Sequence, residues 1–415
     1  MMVYELKPPV GESPGFLVFT HKERPFFLDS GDAVTRRLLT LKERYVFGMQ
    51  WGSYHEDVGQ TPFIDVHLAC PGTVDFSPNA DVRRISLCSR NFTPDRFRPM
   101  DIPTTWDILA VGHPIKIKRM STLLEVIRDL YDHNHEVSAL LICAIPEPPH
   151  RLDEFWDHAF FEKYESLFSP EERERIDLGV PVEARVDNRP LHPIPNEVFP
   201  YLYNASNCFT LFSEREGQSK VVHEALLCGT PVVVRDDLRG GGRDYLDERN
   251  SRQFGDPSEA REAFADIASS PEEYAFDPSY LRSELAESET VDRLEAEIEA
   301  VYRELGRPYA GHIEKTDLAF KLGGHTLTLP PDLRRETTND LRSPRALGRY
   351  ADRKLDRPVP FTERVELRRA DLEYRAETVR ERGLGGVFSP PLRWLERRTS
   401  LPVHTTAKRL ANRYL

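Results

Sequence analysis

Apolar residues in the first hundred positions come in short runs. Residues 15–20 (Gly-Phe-Leu-Val-Phe-Thr), 44–48 and 64–69 are rich in Val, Ile, Phe and Tyr and are bounded by Gly, Pro or charge, which predicts three strands. Between the first two, Val34, Leu38, Leu39 and Leu41 recur at helical spacing within residues 29–44. A second series begins with Asp107-Ile-Leu-Ala-Val-Gly112 and continues with apolar runs at 139–144, 208–212 and 231–234. Amphipathic stretches separate these runs. One follows Ser121, read as its N-cap, and carries Leu124, Ile127, Leu130 and Tyr131; another carries Val221, Val222, Ala225 and Leu226. Ser169-Pro-Glu-Glu has the form of a helix start, and residues 288–305 form a charged amphipathic helix. Continuous apolar strands alternating with helices predict a parallel, doubly wound α/β sheet. The chain divides into a small α/β unit (1–98), a larger Rossmann-like unit (99–309) and an Arg- and Pro-rich extension (310–415) that includes a charged helix candidate at 363–382.

Composition agrees with a folded chain: 415 residues, 39% hydrophobic, suit two or three domains at about 150 residues each. Net charge is −12 but uneven. The extension holds 22 Lys and Arg against 14 Asp and Glu, net +8, which leaves −20 for the rest. Such a body repels polyanions, so nucleic acid is excluded as a partner. No signal pattern opens the sequence, and no apolar run approaches the roughly 18 residues of a membrane span. The expectation is a cytoplasmic protein. The extension reads either as a charged segment packed on the body or as an interfacial one. Trp394, Leu392 and Leu395 beside Arg393, Arg397 and Arg398 would suit an anionic membrane surface on the inner face. Cys70, Cys88, Cys143, Cys208 and Cys228 lack metal-ligand spacing and read as buried, reduced thiols.

The candidate chemistry lies in Ser213-Glu-Arg-Glu-Gly-Gln-Ser-Lys-Val-Val-His-Glu-Ala-Leu-Leu-Cys-Gly-Thr-Pro-Val-Val-Val234, between two buried strands. Ligands of doubly wound sheets bind outside the carboxyl ends of strands, which places Glu216 at the ligand edge. Unpaired N–H groups near Gln218, Ser219 and Lys220, at the positive end of the following helix, suit a phosphate. Gly217 permits close backbone approach, and Glu224 could accept hydrogen bonds from vicinal ribose hydroxyls. Taken alone, two glutamates at this spacing mean little and read as solvated acids, with Glu224 paired to Lys220.

In context, the Glu-Gly before the helix and the Glu-Ala-Leu-Leu-Cys-Gly-Thr-Pro-Val-Val after it resemble the signature of glycosyltransferase family 4, the retaining GT-B enzymes. Residues 194–209 resemble that family's approach to the donor loop, and 235–244, with Gly240, Gly241 and Gly242, its following glycine-containing loop. Residues 91–99 resemble the linker between its two domains, one residue shorter. Val111-Gly112 through Lys118 resembles its Val-Gly-Arg…Lys motif. The likeness covers residues 91–305. It implies a GT-B fold of two Rossmann-like domains, here with a reduced N-terminal acceptor domain and a basic C-terminal extension. It also implies a nucleotide-sugar donor used as substrate, a glycan or lipid-linked acceptor, retained anomeric configuration, and neither metal nor other cofactor. Glu216 would contact the donor sugar, Gly112 and the backbone from Gly217 to Lys220 would line the donor, and Glu224 would hold the ribose.

Two departures stand out. The family neutralises the departing diphosphate with a cationic pair. Lys118 matches its lysine, but its arginine falls on His113, which lacks the fixed charge and fork geometry of a guanidinium. Lys116 or Arg119 could substitute. The N-terminal unit is also short and lacks the family's Gly-rich first loop, for which residues 11–15 are a weak stand-in. A histidine of this domain is expected near the donor sugar; His67 and His55 are the acceptor-side candidates, though each reads first as a core or surface residue. Two other functions fit the same signals: a sugar-nucleotide epimerase of this fold, and a non-catalytic GT-B partner protein.

Overall fold

The structure, a computed structural model, describes residues 2–28, 32–146, 157, 159–180, 182–186, 189–191, 194–316, 318–322, 339–340, 365–366 and 369. Of the 363–382 helix expected in the extension only residues 365–366 and 369, all helical, are described, and the Trp394 segment lies outside the described residues.

The chain forms two α/β units. In the first, β1 (Met2–Lys7), β2 (Gly15–Thr20), α1 (Asp32–Lys42), β3 (Tyr45–Gln50), β4 (Val66–Leu68) and β5 (Arg84–Ile85) build a sheet in the order β1-β2-β3-β4-β5, with Asn339–Asp340 beyond β1. The pairings from β2 to β5 are parallel and β1 is antiparallel. The three strands expected from the sequence are present, as is the helix between the first two. Leu38 and Leu41 are buried as its apolar spacing predicted, but Leu39 faces out.

The second unit follows the alternation seen in the sequence. It contains β6 (Trp106–Gly112), α2 (Met120–Asp132), β7 (Ala139–Cys143), β8 (Ile176–Gly179), β9 (Ser206–Leu211), α3 (Lys220–Leu227), β10 (Val232–Arg235), β11 (Ser251–Phe254), α4 (Pro257–Ser269) and α5 (Glu287–Glu304). Its strands run in the order β8-β7-β6-β9-β10-β11, all parallel. By their sequence along the sheet this is 3-2-1-4-5-6, the doubly wound arrangement whose crevice opens between the first and fourth strands, here β6 and β9. The second unit is thus Rossmann-like, and the first is a smaller α/β unit with parallel strands β2 to β5 and an antiparallel β1.

Local signals explain most boundaries. Asp256 caps α4 through Ser258 and Glu259 N–H groups, with Pro257 in the first turn. Ser169 caps the expected helix start and, with Glu172, forms a capping box. Ser121 is a correction: α2 starts two residues earlier than an N-cap there implies, after Arg119 in the left-handed region (φ 48°), and the Ser121 hydroxyl donates to Asp157 instead of capping. The cysteines need a second correction. Cys70 and Cys88 are joined as a disulfide across Cα atoms 5.8 Å apart, while Cys143, Cys208 and Cys228 are free and buried. The fold brings the end of β4 next to the turn before Ser89, a proximity that spacing in sequence does not reveal.

The cores differ in ownership. One face of the second sheet packs Leu124, Ile127 and Leu130 of α2 with Phe264 of α4, and the other packs Val222, Ala225 and Leu226 of α3. In the first sheet, the face carrying Leu6, Phe16, Val18 and Leu68 is covered by Leu294, Ile298, Val301 and Tyr302 of α5, then by Ile313, Leu318 and Leu322. The helix that ends the 99–309 segment thus crosses back onto the first unit. Among the described residues no helix is long and apolar enough to cross a membrane.

Candidate functional site

The loops after β6 and β9 meet at the switch point. After β6, the chain makes a short turn at Lys116–Lys118 that ends on Arg119. After β9, residues 213–219 lead into α3 through Ser219, also left-handed (φ 40°). Both helices therefore begin just past a non-glycine residue in a sparsely populated conformation, a form of strain found at ligand-binding turns. Glu214 N–H donates to Ile117 O at 2.9 Å, and Arg119 pairs with the Glu214 carboxylate. Lys118 and Glu216, 98 residues apart, form a mostly buried ion pair.

The remaining expected residues divide. Gly112 closes β6, and His113 lies just beyond it with Nδ1 2.8 Å from Ala144 O, the geometry of a donated bond. Gly217 packs against the first unit so closely that a Cβ there would collide with the Gly52 carbonyl. Its own carbonyl accepts from Thr73 Oγ1 (3.1 Å) and Gly241 N–H (3.0 Å). Gln218 is buried; its amide donates to Trp51 O at 2.6 Å and to Leu322 O at 3.5 Å, and its carbonyl oxygen accepts from Ser89. Lys220 donates to Ala319 O at 3.2 Å. Glu224 accepts from the Tyr203 hydroxyl at 3.1 Å. Burial pushes the Glu224 carboxyl above its ordinary range and the Lys220 ammonium below its own, and attraction between the two opposes both shifts. Lys118 and Glu216 thus come together, while Lys220 and Glu224 face the Ala319 and Tyr203 side of α3.

On the first unit, His67 is a core residue. It is 2% exposed, accepts from Trp51 Nε1 at 2.9 Å, and burial lowers its pKa to about 4. His55 is half-buried, edge-on to Trp51 and His21 at 5.2 and 5.1 Å. Burial lowers its pKa too, with Arg24 adding to the effect. His21, which lacked any sequence signal, follows β2 and accepts from Gly52 N–H at 3.1 Å. Trp51, Gly52, Thr73, Ser89 and Arg90 were equally silent in the sequence. They surround the loop at residues 213–219 because the carboxyl edges of the two sheets face each other, a relation no local pattern encodes. Arg90, fully buried, is ion-paired with Asp244, and Gly240 (φ +88°) lets the loop before Asp244 pass over Glu216. Among the described residues no three His, Cys, Asp or Glu side chains group as metal ligands.

No protein-family model and no curated protein matches the chain. Solved structures similar to it include TarM, at 12% identity over 63% of this chain and 49% of that one, TM-score 0.41. Sucrose-phosphate synthase from Thermosynechococcus elongatus is similar at 16% identity over 70% and 67%, TM-score 0.43. Anabaena HepE in complex with UDP-glucose is similar at 12% identity over 66% and 76%, TM-score 0.44. The chain spans about half the length of TarM, and these are likenesses of architecture.

Proposed function

We propose that this chain is a glycosyltransferase that moves a sugar from a nucleoside-diphosphate donor to a glycan or lipid-linked acceptor, with retained configuration and no required metal. One observation carries the reading: a Lys118–Glu216 ion pair at the switch point of a doubly wound sheet, beside the N-terminus of α3 and facing the carboxyl edge of a second parallel sheet. Donor binding would re-partner both groups, the ammonium to the diphosphate and the carboxylate to sugar hydroxyls. In transfer the anomeric carbon–diphosphate oxygen bond breaks, a bond from that carbon to the acceptor oxygen forms, and the acceptor proton leaves. Charge builds on the diphosphate, so a preplaced cation and the first N–H groups of α3 lower the barrier. The experiment is a panel of nucleotide sugars assayed for nucleotide release, with and without glycan acceptors; release that disappears in Glu216→Gln supports the reading.

A second reading, a non-catalytic partner protein, draws on Gln218, Lys220 and Glu224, which are all engaged by the protein itself. Donor binding without nucleotide release would favour it. An epimerised sugar nucleotide formed without acceptor would favour the epimerase.

A further inference from the structure

Four uncharged side chains at the facing sheet edges hold buried polar atoms without any hydrogen-bond partner: Thr20 Oγ1, both amide atoms of Gln50, Ser213 Oγ and Ser219 Oγ. Thr20, Gln50 and Ser213 are fully buried and Ser219 is 7% exposed. A buried polar group left unpaired costs about 1–3 kcal/mol, so such a concentration calls for a partner.

Their placement is not scattered. Thr20 and Gln50 are register partners at the carboxyl ends of β2 and β3, hence on one face of the sheet, the face of Phe16 and Val18. Leu322 covers that face, and its carbonyl, like that of Trp51 next to Gln50, accepts from Gln218. Ser219 follows Gln218, and Ser213 opens the same loop just after β9. Of the charged groups nearby, Lys118 is paired with Glu216, and Arg90 is paired with Asp244 through Nη2 while its Nε and Nη1 have no partner. Besides the Arg90 guanidinium and the rings of His55 and His223, the unpaired atoms nearby are these hydroxyls and this amide, groups that both donate and accept.

We propose that Thr20 and Gln50, together with Ser213 and Ser219 across the junction, form a subsite for the hydroxyl groups of a sugar ring. This rests on the donor-site reading and extends it to residues of the first unit. The subsite is sealed in the arrangement described, so the sugar reaches it by parting the Gly52–Gly217 contact.

The test is calorimetric titration of UDP, GDP and ADP, each beside UDP-glucose, GDP-mannose and ADP-glucose, into wild type, Gln50→Leu and Thr20→Val. Removing pairing groups should weaken the sugar conjugate about tenfold to a hundredfold and leave the free nucleotide within about twofold. Equal weakening of both, or no change in either, overturns the subsite; the latter means water alone meets these atoms. Both variants should melt at or above wild type, since an unpaired polar group is replaced by an apolar one; should Gln50→Leu not fold, Gln50→Met takes its place. If wild type binds no nucleotide of either kind, the donor-site reading fails. Saturation-transfer NMR with free glucose and mannose then decides the subsite: signal lost in the variants upholds it, and absent or unchanged signal removes it.

Discussion

The two sheets solve the same packing problem differently. The second covers both faces with helices drawn from between its own strands, α2 and α4 on one side and α3 on the other. The first has α1 on one side and takes its other cover from α5 and from Ile313, Leu318 and Leu322, some 200 positions along the chain. Its shortness is thus compensated from elsewhere, and the two units cannot be cut apart at a linker without exposing apolar surface. The same crossing segment touches the candidate site through Ala319 and Leu322.

This asymmetry can be broken at one end. Truncation after Tyr309 removes Ile313, Leu318 and Leu322, all at most 4% exposed. At roughly 1.5–3 kcal/mol per buried side chain, it should cost roughly 5 kcal/mol or more and open the first unit to proteolysis before the second. Truncation after Leu322 keeps those contacts and should melt close to the full chain. Equal melting of both truncations would show that the cover is dispensable.

Next in size is the switch-point pair. Lys118→Ala should lower turnover on the order of 100-fold, as removal of a preplaced charge at the leaving group does. His113→Ala should cost less, and His113→Arg should retain or raise turnover by adding a fixed charge. If Lys118→Ala keeps wild-type turnover with the correct donor, the cation assignment is wrong.

A third test uses acid. His67 is held neutral by burial, its pKa lowered to about 4 from 6.5. A depressed pKa means that the stability it contributes is full above pH 6.5 and is lost as pH falls toward 4, because the unfolded chain takes up the proton first. The loss should reach roughly 3 kcal/mol at one pKa unit per 1.36 kcal/mol. Urea melts from pH 7 to 4 should show a flatter profile in His67→Gln, which keeps an acceptor for Trp51. Parallel profiles would place the acid sensitivity elsewhere, with His223, also fully buried and with its pKa pushed down by burial, as the next candidate.

The smallest effect concerns the basic extension. Deleting residues 323–415 should reduce binding to anionic liposomes, and whatever binding the full chain shows should fade with salt. Unchanged binding removes the membrane role.

Legibility in the sequence followed the same divide. Strands of the second sheet were visible because a strand buried on both faces is a continuous apolar run, as in Leu140-Leu-Ile-Cys143. The two edge strands, β8 (Ile-Asp-Leu-Gly) and β11 (Ser-Arg-Gln-Phe), escaped because of their exposed polar positions. β1 escaped for a similar reason, since Met-Val-Tyr-Glu-Leu-Lys mixes charge into a sheet position whose lysine is buried under Tyr302 and Tyr309. At the site, Glu216, Gly217 and Lys118 could be marked because loop chemistry is local. Partners across the junction, such as Trp51 for Gln218 or Thr73 for Gly217, follow only from three-dimensional approach. His67 shows the converse: a histidine at a strand end is visible, but whether it is wet or dry is not.

The return of α5 to the first sheet also sets an order of events during synthesis. β1 through β5 leave the ribosome long before α5 does, with residues 287–304 following Ile85 by about 200 positions. At roughly 5–20 residues per second, the open face of that sheet waits on the order of ten to forty seconds for its cover. During that interval Phe16, Val18 and Leu68 are exposed, and a chaperone or the nascent second domain must shield them. Slowing elongation upstream of residue 287 should therefore lower the folded yield more than slowing it downstream of residue 322.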